Sequence, residues 1–274
     1  MRFHKYHGLG NNFVILDDRR GKAPKGPEWV RAVCDVNRGI GADGILYLQR
    51  PDDRKDDFRM QIINSDGSEA EMCGNGIRCL AKYVNDLGIS KKKTLRIETL
   101  AGVKVTVLEK GPDKRTSLVT VDMGSPKLDG EKTETILLPD GKEARFTPVS
   151  MGNPHAVIFE KHDVAGAKVL GPLIEHHKRF PQRTNVEFLE ILSKREANLV
   201  VFERGCGITQ ACGTGACASA FAGVLLGRFD EGSPITLHLL GGDLHITVSR
   251  DLSSILMKGP AVAVFKGELD PEAM

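Results

Sequence analysis

The sequence predicts an α/β (α+β) chain built as two homologous halves related by a pseudo-twofold axis. Three observations carry that prediction. A Cys-Gly-x-Gly motif occurs twice, at Cys73-Gly74-Asn75-Gly76 and at Cys212-Gly213-Thr214-Gly215, and the two cysteines are 139 residues apart in a chain of 274. Other landmarks keep nearly the same offset: Leu87-Gly88 against Leu226-Gly227 at 139, Leu100-Ala101-Gly102 against Leu240-Gly241-Gly242 at 140, and Gly10-Asn11 against Gly152-Asn153 at 142. Each half also holds several short β-branched runs and one apolar, helix-like run behind its cysteine. A period this long excludes a solenoid and reads as a duplicated domain.

Taken in order, the first half offers strands at Phe13–Leu16, Phe58–Ile63, Leu95–Thr99 and Val103–Val107. They alternate or run apolar and are bounded by Gly, Pro and Asp. A helix is expected from Gly76 to Leu87. The polar stretch Gly111-Pro112-Asp113-Lys114-Arg115 reads as the connection between halves. The second half repeats the pattern, with strands at Ala156–Phe159, Asn185–Leu189, Leu199–Phe202 and Leu244–Val248 and a helix from Gly215 to Leu226. Ala216, Ala218, Ala220 and Ala222 give that helix small faces suited to burial inside a curved sheet. The expected domains are 1-116 and 117-262, with a C-terminal strand, 263-274, returning to the first.

Bulk composition narrows the function. There are 38 basic and 36 acidic residues, a formal net charge of +2. That balance argues against a nucleic-acid binder working by phosphate neutralisation. The compact basic run Lys91-Lys92-Lys93 reads as a solvated loop. No stretch has the length of a membrane span, and no apolar signal core follows Met1. The six cysteines, at 34, 73, 79, 206, 212 and 217, cluster at the motifs rather than forming a secreted framework. The expectation is a soluble, cytoplasmic protein with no membrane or nucleic-acid partner. A homodimer is one assembly the chain allows.

A cysteine at a helix start is chemically useful. Its thiolate is favoured by unpaired backbone N–H groups and the helix dipole, which lower the thiol pKa. The glycines let backbone approach a ligand closely, and the same N–H groups can grip a carboxylate. Two such cysteines facing one carbon could take a proton from one side and return one to the other. That is amino-acid racemisation or epimerisation without a cofactor. The alternatives are a racemase of different substrate and a thiol redox or zinc protein. Zinc is disfavoured, because Cys73 and Cys79 are six apart, Cys206 and Cys212 six, and Cys212 and Cys217 five, none of them finger spacing. Cys34, Cys79, Cys206 and Cys217 are expected to be packing residues.

The blocks Gly8-Leu9-Gly10-Asn11-Asn12-Phe13, Gly39-Ile40-Gly41-Ala42-Asp43-Gly44, Asn64-Ser65-Asp66-Gly67-Ser68, Met72-Cys73-Gly74-Asn75-Gly76-Ile77-Arg78-Cys79, Met151-Gly152-Asn153-Pro154-His155, Thr184-Asn185-Val186-Glu187-Phe188 and Glu203-Arg204-Gly205 before Ala211-Cys212-Gly213-Thr214-Gly215 span nearly the whole chain. Together they resemble the diaminopimelate epimerase family. The resemblance implies two domains, each a β-barrel around a central helix, with the active site in the cleft between them. It implies PLP-independent interconversion of LL- and meso-diaminopimelate, with no cofactor and no metal, in lysine or peptidoglycan precursor synthesis. By the same resemblance Cys73 and Cys212 are the acid/base pair, and His155 and Glu203 modulate their pKa values. Gly74, Asn75, Gly213 and Thr214 hold the reacting end of the substrate. Asn11, Asn64, Asn153, Asn185, Glu203 and Arg204 bind its polar groups, the guanidinium suiting a carboxylate and the carboxylate an ammonium. The chain departs from the family at Gly44, where some members carry a side chain that reaches the substrate, and at Cys206 and Ile208.

Overall fold

The computed structural model describes residues Met1 to Asp270. The chain forms two compact units. One comprises Met1–Val121 with the segment from Gly259 onward, the other Asp122–Lys258.

The first unit contains β1 (Arg2–Gly8), β2 (Asn11–Asp17), α1 (Pro27–Cys34), β3 (Gly44–Gln49), β4 (Phe58–Asn64), β5 (Glu69–Ala70), α2 (Gly74–Asp86), β6 (Thr94–Thr99), β7 (Gly102–Lys110) and most of β8 (Thr116–Gly124). The second holds β9 (Lys127–Leu128), β10 (Glu134–Leu137), β11 (Glu143–Ser150), β12 (Pro154–Ile158), α3 (Val164–Glu175), β13 (Asn185–Ser193), β14 (Glu196–Glu203), β15 (Gly207–Ile208), α4 (Gly213–Leu225), β16 (Pro234–Leu239), β17 (Gly242–Val248) and most of β18 (Ile255–Pro260). The chain closes with β19 (Val262–Glu268), which pairs antiparallel with β1. The predicted returning strand ran to 274, and its last four residues lie outside the described ones.

Strand pairing repeats between units. In the first, β2 runs parallel to β3 through α1, β3 pairs antiparallel with β4, β4 takes the short β5 and runs parallel to β6, and β6 pairs with β7. In the second, β12 runs parallel to β13 through α3, β13 pairs with β14, β14 takes the short β15 and runs parallel to β16, and β16 pairs with β17. The duplication read from two cysteines is therefore a duplication of the whole hydrogen-bonding plan.

Each unit wraps its strands around one helix. Helix α2 touches β1, β2, β3, β4, β7 and β19, and every residue from Gly74 to Val84 is buried. Helix α4 touches β11, β12, β13 and β17, and its alanines Ala216, Ala218, Ala220 and Ala222 are fully buried. Small side chains let strands come close. Gly223 packs so tightly that a Cβ there would lie 2.1 Å from the Phe229 ring. Surrounding aliphatic side chains, among them Ile45, Leu46, Ile77 and Leu80 in the first unit, are wholly excluded from water, and this burial is the main stabilising force.

The loops correct some expectations. Gly111–Arg115 forms the turn of the β7–β8 hairpin, closed by Gly111 N–H donating to the Arg115 carbonyl at 2.8 Å. Lys91, Lys92 and Lys93 lie exposed between α2 and β6, as the sequence suggested. Cys34, Cys79 and Cys217 are buried, but Cys206 is exposed and is no packing residue. It sits in the tight turn between β14 and β15, flanked by Gly205 and Gly207 at positive φ, and such a turn faces solvent because its backbone needs water or local partners.

Candidate active site

Both motif cysteines are helix caps. Cys73 has extended backbone (φ −137°, ψ 120°), and its sulfur accepts the Gly76 N–H at 3.4 Å. Cys212 does the same at φ −111° and ψ 112°, accepting the Gly215 N–H at 3.3 Å. Ser, Thr, Asp and Asn usually fill this role because oxygen accepts better than sulfur. Asp163 caps α3 in that ordinary way, at 2.8 Å. Both helices begin at the first motif glycine, two residues earlier than expected.

The first unit gathers Asn11, Asn75 and Cys73. The turn at Leu9 and Gly10, both at positive φ, starts β2 with Asn11, as hairpin turns of this class require. The Asn11 carboxamide oxygen accepts from Cys73 Sγ at 3.6 Å and from Asn75 Nδ2 at 3.3 Å. Its Nδ2 donates to Asp43 Oδ2 at 2.9 Å, and that same oxygen accepts the Asn12 backbone and side-chain N–H groups at 2.8 and 2.9 Å. Behind Asn75 lies Arg78, fully buried. It donates to Asn75 Oδ1 at 2.7 Å, to the Gly74 carbonyl at 3.0 Å and to the Pro260 carbonyl at 3.2 Å. Asn64 ends β4 and donates to Ser68 Oγ at 3.1 Å. At Gly44, a Cβ would sit 2.8 Å from the Ile63 carbonyl oxygen, so this backbone has no room for a side chain.

The second unit gathers Asn153, His155, Glu203, Cys212 and Thr214. Cys212 is 5 % exposed. Its sulfur contacts Thr214 Oγ1 at 3.5 Å, and Thr214 accepts from Asn153 Nδ2 at 3.3 Å. Asn153 Oδ1 meets His155 Nε2 at 3.1 Å, and His155 Nδ1 meets Glu187 Oε1 at 2.7 Å. Glu203 ends β14, the place Asn64 holds in β4. It accepts from Thr209 Oγ1 at 2.5 Å, and its charge bears on the Cys212 thiol. Asn185 bridges two backbone segments: Nδ2 donates to the Pro154 carbonyl at 2.8 Å, and Oδ1 accepts the Arg204 N–H at 3.0 Å. Arg204 is exposed, its turn held by Glu175 accepting the Gly205 N–H at 2.8 Å. Ile208 packs against the core cluster of Phe146, Phe188 and Phe202.

The electrostatics overturn one expectation. A helix start was expected to lower the cysteine pKa, and the Gly215 N–H and Thr214 do act that way on Cys212. Burial outweighs them, and the carboxylates of Glu203 and Glu187 add to it, so the Cys212 thiol is pushed well above its usual range. Burial likewise raises the carboxyls of Glu203 and Glu187, against the pull of Thr209 and His155. Cys73 is partly exposed, and the buried charge nearest its helix start is the Arg78 cation.

Sequence reasoning passed over Glu187, Asp43, Arg78, Thr209 and Glu175. Glu187 carried a signal: it is one acid inside the apolar run Val186–Leu189, where a buried strand leaves it no solvent. Asp43 and Arg78 lay inside recognised blocks without being assigned a task. Among the described residues, no three His, Cys, Asp or Glu side chains gather as metal ligands, and no helix is long and apolar enough to cross a membrane.

Known proteins match along the whole chain. The family model for diaminopimelate epimerase matches residues 3–128 and 147–264. A diaminopimelate epimerase of Desulfitobacterium hafniense is 46% identical, with 100% of both chains covered. One of Acetivibrio thermocellus is 45% identical over 98% of this chain and 99% of its own. Among solved structures, a hydroxyproline epimerase from Agrobacterium vitis superposes with a TM-score of 0.75 at 16% identity, covering 97% of this chain and 91% of that one, which shows a shared fold. With nearly half its residues shared from end to end, this chain belongs to the diaminopimelate epimerase family.

Proposed function

We propose that the chain interconverts LL-2,6-diaminopimelate and meso-diaminopimelate by a two-base mechanism without PLP, Cys73 and Cys212 serving opposite faces of one α-carbon. The observation that carries this reading is the pair of reactive caps. Each cysteine opens a buried helix, with its sulfur held by the third backbone N–H. Their surroundings differ in charge, a buried guanidinium beside one and two carboxylates beside the other.

The unequal surroundings assign a direction. Cys212 rests as a thiol and delivers its proton to the carbanion. Cys73 takes the α-proton on the other face, and the two sulfurs swap roles in the reverse direction. After one inversion the protonation states are exchanged, and exchange with solvent resets them. A general base of this kind contributes about 10²–10⁴-fold. Negative charge spreading into the substrate carboxylate is met by the opening N–H groups of α2 and α4, at Gly74, Asn75, Gly213 and Thr214. Donors so placed are worth about 3–4 kcal/mol each when removed. Asn11, Asn64 and Asn153 offer polar contacts, and Arg204 and Glu203 suit the distal carboxylate and ammonium. His155 and Glu203 set the proton affinity of Cys212. A reducing cytosol suits the reaction, because both sulfurs must stay reduced.

Proton NMR of LL-diaminopimelate in D₂O, with reductant and no cofactor, tests the reading. Loss of the α-proton signal with growth of the meso isomer is expected, and Cys73→Ala and Cys212→Ala should each abolish inversion. Full turnover in either variant refutes the two-base assignment. Faster turnover of lysine, glutamate or proline than of diaminopimelate would move the substrate assignment elsewhere.

A further inference from the structure

Glu187 is wholly buried on β13, with Oε1 against His155 and Oε2 without a hydrogen-bond partner. A buried carboxyl is expensive unless paired. Its carboxylate also presses on the start of α4, where a Cβ at Gly215 would lie 2.7 Å from Oε1. The chain has kept a costly acid and an open glycine beside it.

We propose that Glu187 is a positioning residue: acting through His155, it fixes a one-way hydrogen-bond chain that aims a hydroxyl donor at the Cys212 sulfur. The chain runs His155 Nε2–H to Asn153 Oδ1, Asn153 Nδ2–H to Thr214 Oγ1, and Thr214 Oγ1–H to Cys212 Sγ, with contacts of 3.1, 3.3 and 3.5 Å. Its polarity follows from which groups can donate. A carboxamide that accepts at oxygen must donate at nitrogen, so a proton on Nε2 orients everything downstream. That proton is secured when Nδ1 shares a second one with Glu187, as imidazolium with carboxylate or as imidazole with carboxylic acid. Were Nε2 bare instead, Asn153 would turn over, the Thr214 hydroxyl would point to it, and the sulfur would lose its donor.

The other side of the sulfur agrees. There the Gly215 N–H donates to it at 3.3 Å, so the sulfur already acts as an acceptor and the Thr214 hydroxyl adds a second donor to the same role. The titratable groups facing Cys212 are thus Glu203, Glu187 and, through the chain, His155 on β12. Burial and two acids disfavour the thiolate formed after proton delivery. The aligned donors are its counterweight.

The inference rests on Cys212 being an acid/base residue, and its test is independent of turnover. In the full chain, alkylation of Cys212 by iodoacetamide is followed by peptide mapping across pH. Thr214→Val should slow it about ten-fold near pH 9, the worth of one hydrogen bond to a charged sulfur, and Thr214→Ser should restore it. Glu187→Gln, which can pair with Nδ1 as donor or acceptor and so fixes no polarity, should leave part of the His155 Nε2 bare by ¹⁵N-histidine NMR, a readout that the lost negative charge beside Cys212 does not move. A fully protonated His155 Nε2 in Glu187→Gln overturns the proposal. Wild-type protein labelled with ¹⁵N-histidine gives a second answer that needs no variant to fold. Nε2 of His155 must carry a proton throughout the active pH range, and a bare Nε2 overturns the proposal outright. If Cys212→Ala is inactive while Thr214→Val alkylates as wild type, this inference fails and the two-base reading stands. If Cys212→Ala turns over, that reading fails whatever the profiles show.

Discussion

Replacing Gly215 with alanine, and Gly76 with alanine in the matching place, should separate the two half-sites by stability. Both glycines are the third residue of their helix and donate to the cap sulfur. At Gly76 the new methyl would meet Leu46 Cδ2 at 3.1 Å and Cys73 Cβ at 3.5 Å. The tip of a leucine yields by a small rotation. Removing glycine also gains about 0.5–1 kcal/mol of helix propensity and unfolded-state entropy. Gly76→Ala should therefore stay within about 1 kcal/mol of wild type. At Gly215 the methyl would lie 2.7 Å from Glu187 Oε1 and 3.3 Å from Cys212 Sγ. Glu187 is fully enclosed, so moving its carboxylate strains the core by about 1–3 kcal/mol. It also disturbs the 2.7 Å contact with His155, adding about 1–3 kcal/mol for a buried polar group left poorly paired. After the same propensity gain, Gly215→Ala should be destabilised by about 2 kcal/mol or more. Urea denaturation of both variants reads the difference as a shift in midpoint at constant slope. Equal midpoints, or a more stable Gly215→Ala, would refute the claim that Glu187 is wedged against the helix start.

Alkaline stability should fall early. Burial raises the Cys79 thiol to about 12 and Cys212 well above its usual range. These folded-state values exceed the unfolded ones, so their contribution is intact below about pH 9 and drains away as the pH climbs toward the folded values. At pH 10 each thiol withdraws about 1.4 kcal/mol, and Cys79→Ala should flatten the loss measured by urea titration across pH 8–10. Asp43→Asn removes the oxygen that gathers three N–H groups around Asn11 and Asn12. Since Asp43 is exposed, stability should drop by about 1 kcal/mol or less, while kcat/KM falls several-fold as Asn11 loses its orientation, and unchanged steady-state kinetics would separate Asp43 from the site. Glu175→Gln weakens the anchor of the turn that carries Arg204, and should raise KM for diaminopimelate with little change in kcat, as expected when binding alone is lost.

Much of the architecture was readable because duplication leaves two copies of the same punctuation. The cysteine-to-cysteine spacing, the Leu-Gly helix ends and the buried alanines of α4 needed no structure to interpret. Strands β1, β3, β5, β8, β9, β10, β11, β15, β16 and β18 and helices α1 and α3 were missed. In β1, His4, Lys5 and His7 break the apolar alternation, and β3 is apolar throughout, which by itself fits helix as well as strand. The one-residue tasks were harder still. Asn185 is quoted in a motif, yet its carboxamide ties the backbone of Pro154 to that of Arg204, a role decided by where three distant segments meet. The proton affinity of Cys212 was misjudged for a related reason. A helix start is a local feature that sequence displays, whereas desolvation and the approach of Glu187 and Glu203 are products of folding. Cys206 differs in kind: its exposure follows from the glycines either side, and that signal was present to be used.

Because each reactive sulfur is also the atom that closes the first turn of a core helix, chemistry at the thiol and integrity of the fold share one atom. A thiolate tightens the turn, since an ionised acceptor binds N–H more strongly than a neutral one. Alkylation does the opposite, since a thioether sulfur is only a weak, neutral acceptor for the Gly76 or Gly215 amide. Covalent attack on either thiol therefore weighs on the first turn of a central helix as well as on the reaction.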